Sequence, residues 1–320
     1  MLEILAITGP IFLCIALGYA STRAGLFNRG DMRTFGKFVI NLALPALLFN
    51  ALSQRQLSDL NHADYLLAYA VASVWMVLTG VWWYLRVRRA GLSEAAIGAM
   101  GMACPNSGYV GYPIMMMSFP QMAGIILALN IVVENIVTIP LALALAERGQ
   151  GKAKPLLAVM REILQRLFTN PLVIAVLVGM VFSALHWSLP GPLARTVNLF
   201  ASASTALALF VIGGSLVGMS LHGLGGRVLP VALGKLVLHP LAGFLALVAL
   251  SAMGLATMEP TLARALILSL AMPMMGIYPV LALQFKQEDQ AAAALLITTV
   301  LSFFSINGVM WLVQSPYFRY

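Results

Sequence analysis

The chain has 320 residues, of which 61% are hydrophobic and only 9% are charged, and its formal net charge is +8. A soluble domain carries about 25% charged residues, so this composition excludes a soluble globular fold and predicts a polytopic membrane protein. The positive balance does not call for nucleic acid, because membrane proteins concentrate Lys and Arg in their cytoplasmic loops.

Taken in chain order, ten apolar runs are predicted to span the bilayer: 2–21, 33–51, 64–86, 95–118, 122–146, 169–187, 195–219, 228–254, 261–285 and 290–314. The first run has no basic leader and carries Glu3, so it reads as a span and not as a signal peptide. Cys14 and Cys104 both lie inside apolar runs and are expected to be free thiols, with no metal site and no cofactor. Fourteen Lys and Arg, from Arg23 to Lys286, fall after odd-numbered spans, against Arg55, Arg195, Arg264 and Arg319 on the other side. This bias places the odd loops in the cytoplasm and both termini outside.

The order of elements suggests a duplication. Residues 1–146 form a first five-helix repeat, 147–168 a basic cytoplasmic linker, and 169–320 a second five-helix repeat. An odd number of spans per copy forces the copies into opposite orientations. Faint matches agree: Pro10 and Gly18 recur as Pro171 and Gly179, "RT" at 33–34 recurs at 195–196, and "YP" at 112–113 recurs at 278–279. Inverted repeats of this kind are typical of secondary transporters.

Two spans should not be continuous helices. In "CPNSGYVGYP", 104–113, Pro105 and Pro113 frame Asn106, Ser107, Tyr109, Gly111 and Tyr112. In span nine, "AMPMMGIYPV" holds Pro273, Gly276, Tyr278 and Pro279. Each proline removes a helical hydrogen bond and crowds the preceding turn, and an unsatisfied backbone group in lipid costs several kcal/mol. Spans four and nine are therefore predicted to break into half-helices whose freed amides attract anions. Paired interruptions at corresponding places in two halves point to a binding site. Single prolines at 45, 140 and 240 read as ordinary kinks.

"PNSGYVGYP" resembles the P-N-[ST]-x-x-x-G-x-P motif of the auxin efflux carrier family, which includes the plant PIN carriers and bacterial permeases. "MGIYPV" resembles that family's second crossover, and "NLALPALLFNAL" its second helix; one extra residue separates Pro273 from Gly276 compared with the plant pattern. The resemblance implies ten helices in an inverted five-plus-five repeat with two crossing discontinuous helices, as in bile-acid/sodium symporter-like proteins. It implies a scaffold part and a transport part, a homodimer, and an organic-anion substrate; the tail of span nine looks closer to the malonate-permease-like branch. Transferred by the motif, Asn106 would donate to a substrate carboxylate. Ser107, Tyr109, Tyr112 and Tyr278 would add hydroxyls, and Gly111 and Gly276 close backbone approach. Asn41, Pro45 and Asn50 in span two are candidates to line the same cavity.

Ionisable residues within spans are functional candidates by default. Glu134, flanked by Asn130 and Asn135, is a candidate proton-coupling carboxylate, against a plain packing role. Lys235 and His239 share one face of span eight; Lys235 could counter an anion or snorkel, and His239 could cap a backbone carbonyl. Ser202, Ser204, Thr205, Gly213 and Gly214 read as close helix packing. There is no HExxH, no G-x-S-x-G elbow and no Walker A motif, so an enzyme or a nucleotide-driven pump is not expected. The expected function is secondary transport of a small organic carboxylate, malonate- or malate-like, in the bacterial inner membrane, with surrounding lipid as the other partner. The alternative is a cation/proton antiporter on a related fold, although 104–113 and 273–279 contain no acidic residue. The topology can be tested with Gln150→Cys in a background without Cys14 and Cys104: an impermeant thiol reagent should label it only from the cytoplasm. Labelling in intact cells would overturn the orientation.

Overall fold

A computed structural model describes residues 2–55, 62–152, 154–219, 225–255 and 258–315. Arg319, counted above among the outer charges, lies outside the described residues, as do the side chains of Glu3 and Arg166. Among the described residues every element is helical, apart from one isolated two-residue bridge.

The helices are α1 (Leu2–Arg23), α2 (Arg29–Ser53), α3 (Ala63–Arg86), α4 (Leu92–Ala103), α5 (Tyr112–Ser118) and α6 (Ala123–Gly149). The second half has α7 (Leu156–Thr169), α8 (Pro171–Ala184), α9 (Gly191–Ser215), α10 (Gly226–Ala252), α11 (Pro260–Leu270), α12 (Tyr278–Leu283) and α13 (Glu288–Gln314). Seven of these are long and apolar enough to cross a membrane, and eight if the bent pair α7 and α8 is taken as one span. The predicted spans four, six and nine are the ones that fall short, because span six is 14 residues long and spans four and nine are each broken in two.

The predicted linker is largely a helix. Lys154 bonds Glu147 at 3.0 Å and Glu162 at 2.6 Å, tying the end of α6 to α7. The hydrogen bond that this exposed ammonium donates to Glu162, then the one to Glu147, holds it above its ordinary pKa. Asn170 makes the corner into α8: its Oδ1 accepts the Leu172 amide and its Nδ2 donates to Asn135.

Among the described residues four helical turns are widened to π geometry, and each lies just before a proline. The amides of Leu44, Tyr112, Ile139 and His239 bond the carbonyls of Val39, Ser107, Glu134 and Gly234, five residues back. The next residues are Pro45, Pro113, Pro140 and Pro240. Proline has no amide hydrogen and clashes with the carbonyl four residues earlier, so one wide turn absorbs the misfit without ending the helix.

Packing depends on small residues. A Cβ at Gly213 would lie 1.8 Å from the Ile15 carbonyl oxygen, and one at Gly18 would lie 2.1 Å from that of Phe210, so α1 and α9 touch backbone to backbone. Gly124 leaves room for the Ala51 methyl, and Gly80 for that of Ala99. Leu13, Leu17, Trp82, Phe304 and Trp311 point outward and are exposed, a surface suited to hydrocarbon and not to water. Gly213→Ala and Gly18→Ala should each destabilise by about 1–3 kcal/mol, the usual cost of overpacking. Thermal denaturation in detergent should show midpoints several degrees lower, while Gly308→Ala, inside α13 with nothing within 4 Å, does not lower the midpoint.

Candidate functional site

The two predicted interruptions meet. Helix α4 stops at Ala103, and helical structure resumes at Ser107; α11 stops at Leu270, and α12 starts at Tyr278. Between them Pro105 and Met274 form an antiparallel bridge. The Asn106 amide donates to the Pro273 carbonyl at 2.7 Å, and the Met275 amide donates to the Cys104 carbonyl at 3.1 Å. The polar groups that the prolines free in one break are thus satisfied by the other break. Tyr278 adds a clasp, since its ring lies over Gly101, where a Cβ would come within 2.8 Å, and its hydroxyl donates to the Ile97 carbonyl.

Asn106 organises the restart of span four. Its Oδ1 accepts the Tyr109 amide, and its carbonyl accepts the amides of Val110 and Gly111. Three amides that could have faced an anion are therefore taken by Asn106 itself. Its side-chain Nδ2 is buried and has no hydrogen-bond partner among the described residues. That atom lies 3.9 Å from where a Cβ on Gly276 would stand, and Gly276 is exposed. A buried amide donor without a partner is costly unless something binds it.

The other candidates divide. Gly111 sits beneath Asn106, and Tyr112 is buried in the apolar core. Tyr109 donates its hydroxyl to the Gly36 carbonyl at 3.0 Å, a contact between span four and α2. Asn41 is exposed and donates to the Lys37 carbonyl within α2; Asn50 donates to Asn198 of α9 at 2.7 Å. Pro113 and Pro279 occupy the first turns of α5 and α12.

The buried charges flank the bridge. Ser107 donates to Glu134 Oε1 at 2.5 Å, and Tyr69 of α3 donates to the same oxygen at 2.8 Å. Tyr65 stacks beside Tyr69, with ring centroids 6.0 Å apart, and bonds Asn130. Lys235 Nζ lies 2.8 Å from both His239 Nδ1 and the Leu270 carbonyl. His239 Nε2 faces Ser73 at 3.4 Å. Tyr65, Tyr69 and Ser73 were not singled out from the sequence, yet their spacing of four residues puts all three on one face of α3, and all are fully buried. Cys14 and Cys104 are free thiols, and among the described residues no group of three or more His, Cys, Asp or Glu could hold a metal.

The chain is similar in sequence to known membrane transport proteins. Residues 7–310 match the family described as "Membrane transport protein". The chain is 29% identical over 318 residues to a Rhizobium meliloti protein named "Putative malonate transporter", covering 98% of this chain and 97% of the relative. It is 26% identical over 245 residues to the Escherichia coli "Uncharacterized transporter YfdV", covering 73% of this chain and 74% of that one. It is 22% identical over 260 residues to the Arabidopsis thaliana "Auxin efflux carrier component 8", covering 66% of this chain and 71% of the relative. The chain belongs to this membrane transport protein family, that of the auxin efflux carriers, and is a membrane transporter and not an enzyme.

Proposed function

We propose that the chain is a secondary transporter of a small organic anion of the malonate and malate class. Its carboxylate is held at the meeting point of the two broken spans. The observation that carries this reading is the buried, unpartnered Nδ2 of Asn106 facing exposed Gly276. A side-chain amide can donate to a carboxylate, and Gly276 leaves the space that a side chain would fill. The name of the Rhizobium meliloti relative supports the choice of malonate as first probe. In this reading the chain has ten spans in an inverted five-plus-five repeat, including crossed halves of spans four and nine. It works by alternating access between a scaffold and a transport part. It functions as a homodimer in the bacterial inner membrane, with both termini outside.

One observation favours the second reading, a cation/proton antiporter. Glu134 lies outside both broken stretches in sequence, yet its carboxylate reaches Ser107 within the break. For an anion carrier the same contact has another meaning. An ionised Glu134 repels a substrate carboxylate bound beside Asn106, so anion binding favours the protonated acid and couples a proton to the anion. Glu134→Gln should therefore abolish pH-driven malonate accumulation in proteoliposomes while malonate exchange continues. Unchanged pH dependence would leave Glu134 as a packing residue.

Asn106 separates the two readings. A hydrogen bond to a charged group is worth about 1.5–3 kcal/mol, so Asn106→Ala should weaken malonate binding by roughly 10- to 150-fold. Asn106→Asp should be worse, because it sets one negative charge against another, and Asn106→Gln should be intermediate. Asn106→Ala also loses the cap on the Tyr109 amide and should lower the thermal midpoint in detergent, whereas Asn106→Asp keeps an oxygen for that cap, so its binding loss is read without the loss of the cap. An Asp variant that binds malonate as well as the parent would refute the amide-to-carboxylate contact, and tighter cation binding by that variant would favour the antiporter.

A further inference from the structure

The anion site leaves a second buried polar group unused. Lys235 and His239 are both fully buried, on the wide turn of α10 and immediately after it. The Lys235 ammonium meets the carbonyl of Leu270 and the Nδ1 of His239. Leu270 is the last residue of α11, where the first half of span nine stops. The carbonyls at such an end have no helical partner and carry partial negative charge. With Nδ1 accepting from the ammonium, the ring proton belongs on Nε2, which faces Ser73. Among the described residues both ion pairs are those of Lys154, so no carboxylate bonds Lys235 directly. The ionisable groups within electrostatic reach are Cys104 in the break of span four, Glu134 of α6, and His239 itself.

We propose that Lys235 is a resident cation: its tethered ammonium occupies the cation position at the broken end of span nine, so that no inorganic cation is needed there. A backbone carbonyl and an imidazole nitrogen are neutral donors of the kind that hold a small cation. Here the cation arrives on a side chain and cannot leave. Lys235 is thus a positioning residue that acts on the broken end of span nine and does not touch the substrate. The wide turn before Pro240 belongs to the device, because it is the local distortion of α10 in which Lys235 sits. Removing the side chain would leave a buried space beside the Leu270 carbonyl and His239 that fits ammonium or methylammonium.

The test uses the full chain purified in detergent and compares the parent with Lys235→Ala, Lys235→Met and Lys235→Arg. Thermal midpoints are measured in choline, sodium, potassium, ammonium and methylammonium chloride at equal ionic strength. The parent and the Arg variant should be indifferent to the cation. The Met variant, of similar length without charge, should be less stable than both. The Ala variant should be less stable in choline and regain about 3 °C or more, saturably, in ammonium or methylammonium, as expected when an added ligand binds only the folded state. If the chain transports malonate, exchange should fall about tenfold or more in the Ala variant, and methylammonium should restore it in part. A parent stabilised saturably by sodium would overturn the proposal, as would Ala and Met variants as stable as the parent with no response to amines. If the Ala variant yields no folded protein, the contrast between Met and Arg together with the sodium response of the parent decides the question. A parent that exchanges no malonate would count against the proposed substrate alone, since the stability arms do not depend on it.

Discussion

A broken helix inside hydrocarbon must find partners for its freed backbone groups, because no water is present to supply them. Here the partners come from a second break. The prolines of span four leave Cys104 and Asn106 outside the helix, those of span nine do the same to Pro273 and Met275, and the four residues exchange two hydrogen bonds. Neither break is affordable alone, so the two halves of the chain are interdependent at this point. The apolar clusters on either side of it share the break: Val110 and Met272 belong to one, and Cys104 and Met274 to the other.

The same constraint explains the placement of the buried charges. Glu134 opens a wide turn before Pro140, and Lys235 lies in one before Pro240. Glu134 faces Ser107, where helical structure in span four restarts; Lys235 faces the Leu270 carbonyl, where the helix in span nine stops. The acid therefore stands at an amide end and the base at a carbonyl end, the arrangement that helix dipoles favour. Isolated charges are very costly in such surroundings, whereas here the carboxylate and the ammonium each have two bonded partners.

Much of this was legible in the sequence. Pairs of prolines at 105 and 113 and at 273 and 279 announced both interruptions, since their effect on a helix is local. The helix α7 was missed because seven charges punctuate residues 147–168 and mark them as a loop between spans, although Leu157, Met160, Leu164 and Phe168 recur at helical spacing and form an exposed apolar stripe. The bridge between the breaks could not be read, because it joins residues some 170 positions apart and residue type says nothing about partner choice. For the same reason the sequence could not show that Ser107 and Tyr109 spend their hydroxyls on Glu134 and Gly36. The resemblance to the auxin efflux carriers supplied the family, and the unpartnered Nδ2 of Asn106, which the motif alone does not reveal, is what supports the proposed anion donor.

The central claim is that a substrate carboxylate bonds the side-chain amide of Asn106. Solid-state NMR of the protein in lipid tests it most directly, using malonate labelled with carbon-13 at its carboxylates and protein labelled with nitrogen-15 in Asn and Lys side chains. The account predicts a through-space contact from the malonate carboxylate to one side-chain amide, assigned to Asn106, and none to a lysine ammonium. A contact to a lysine ammonium with no amide signal would contradict it.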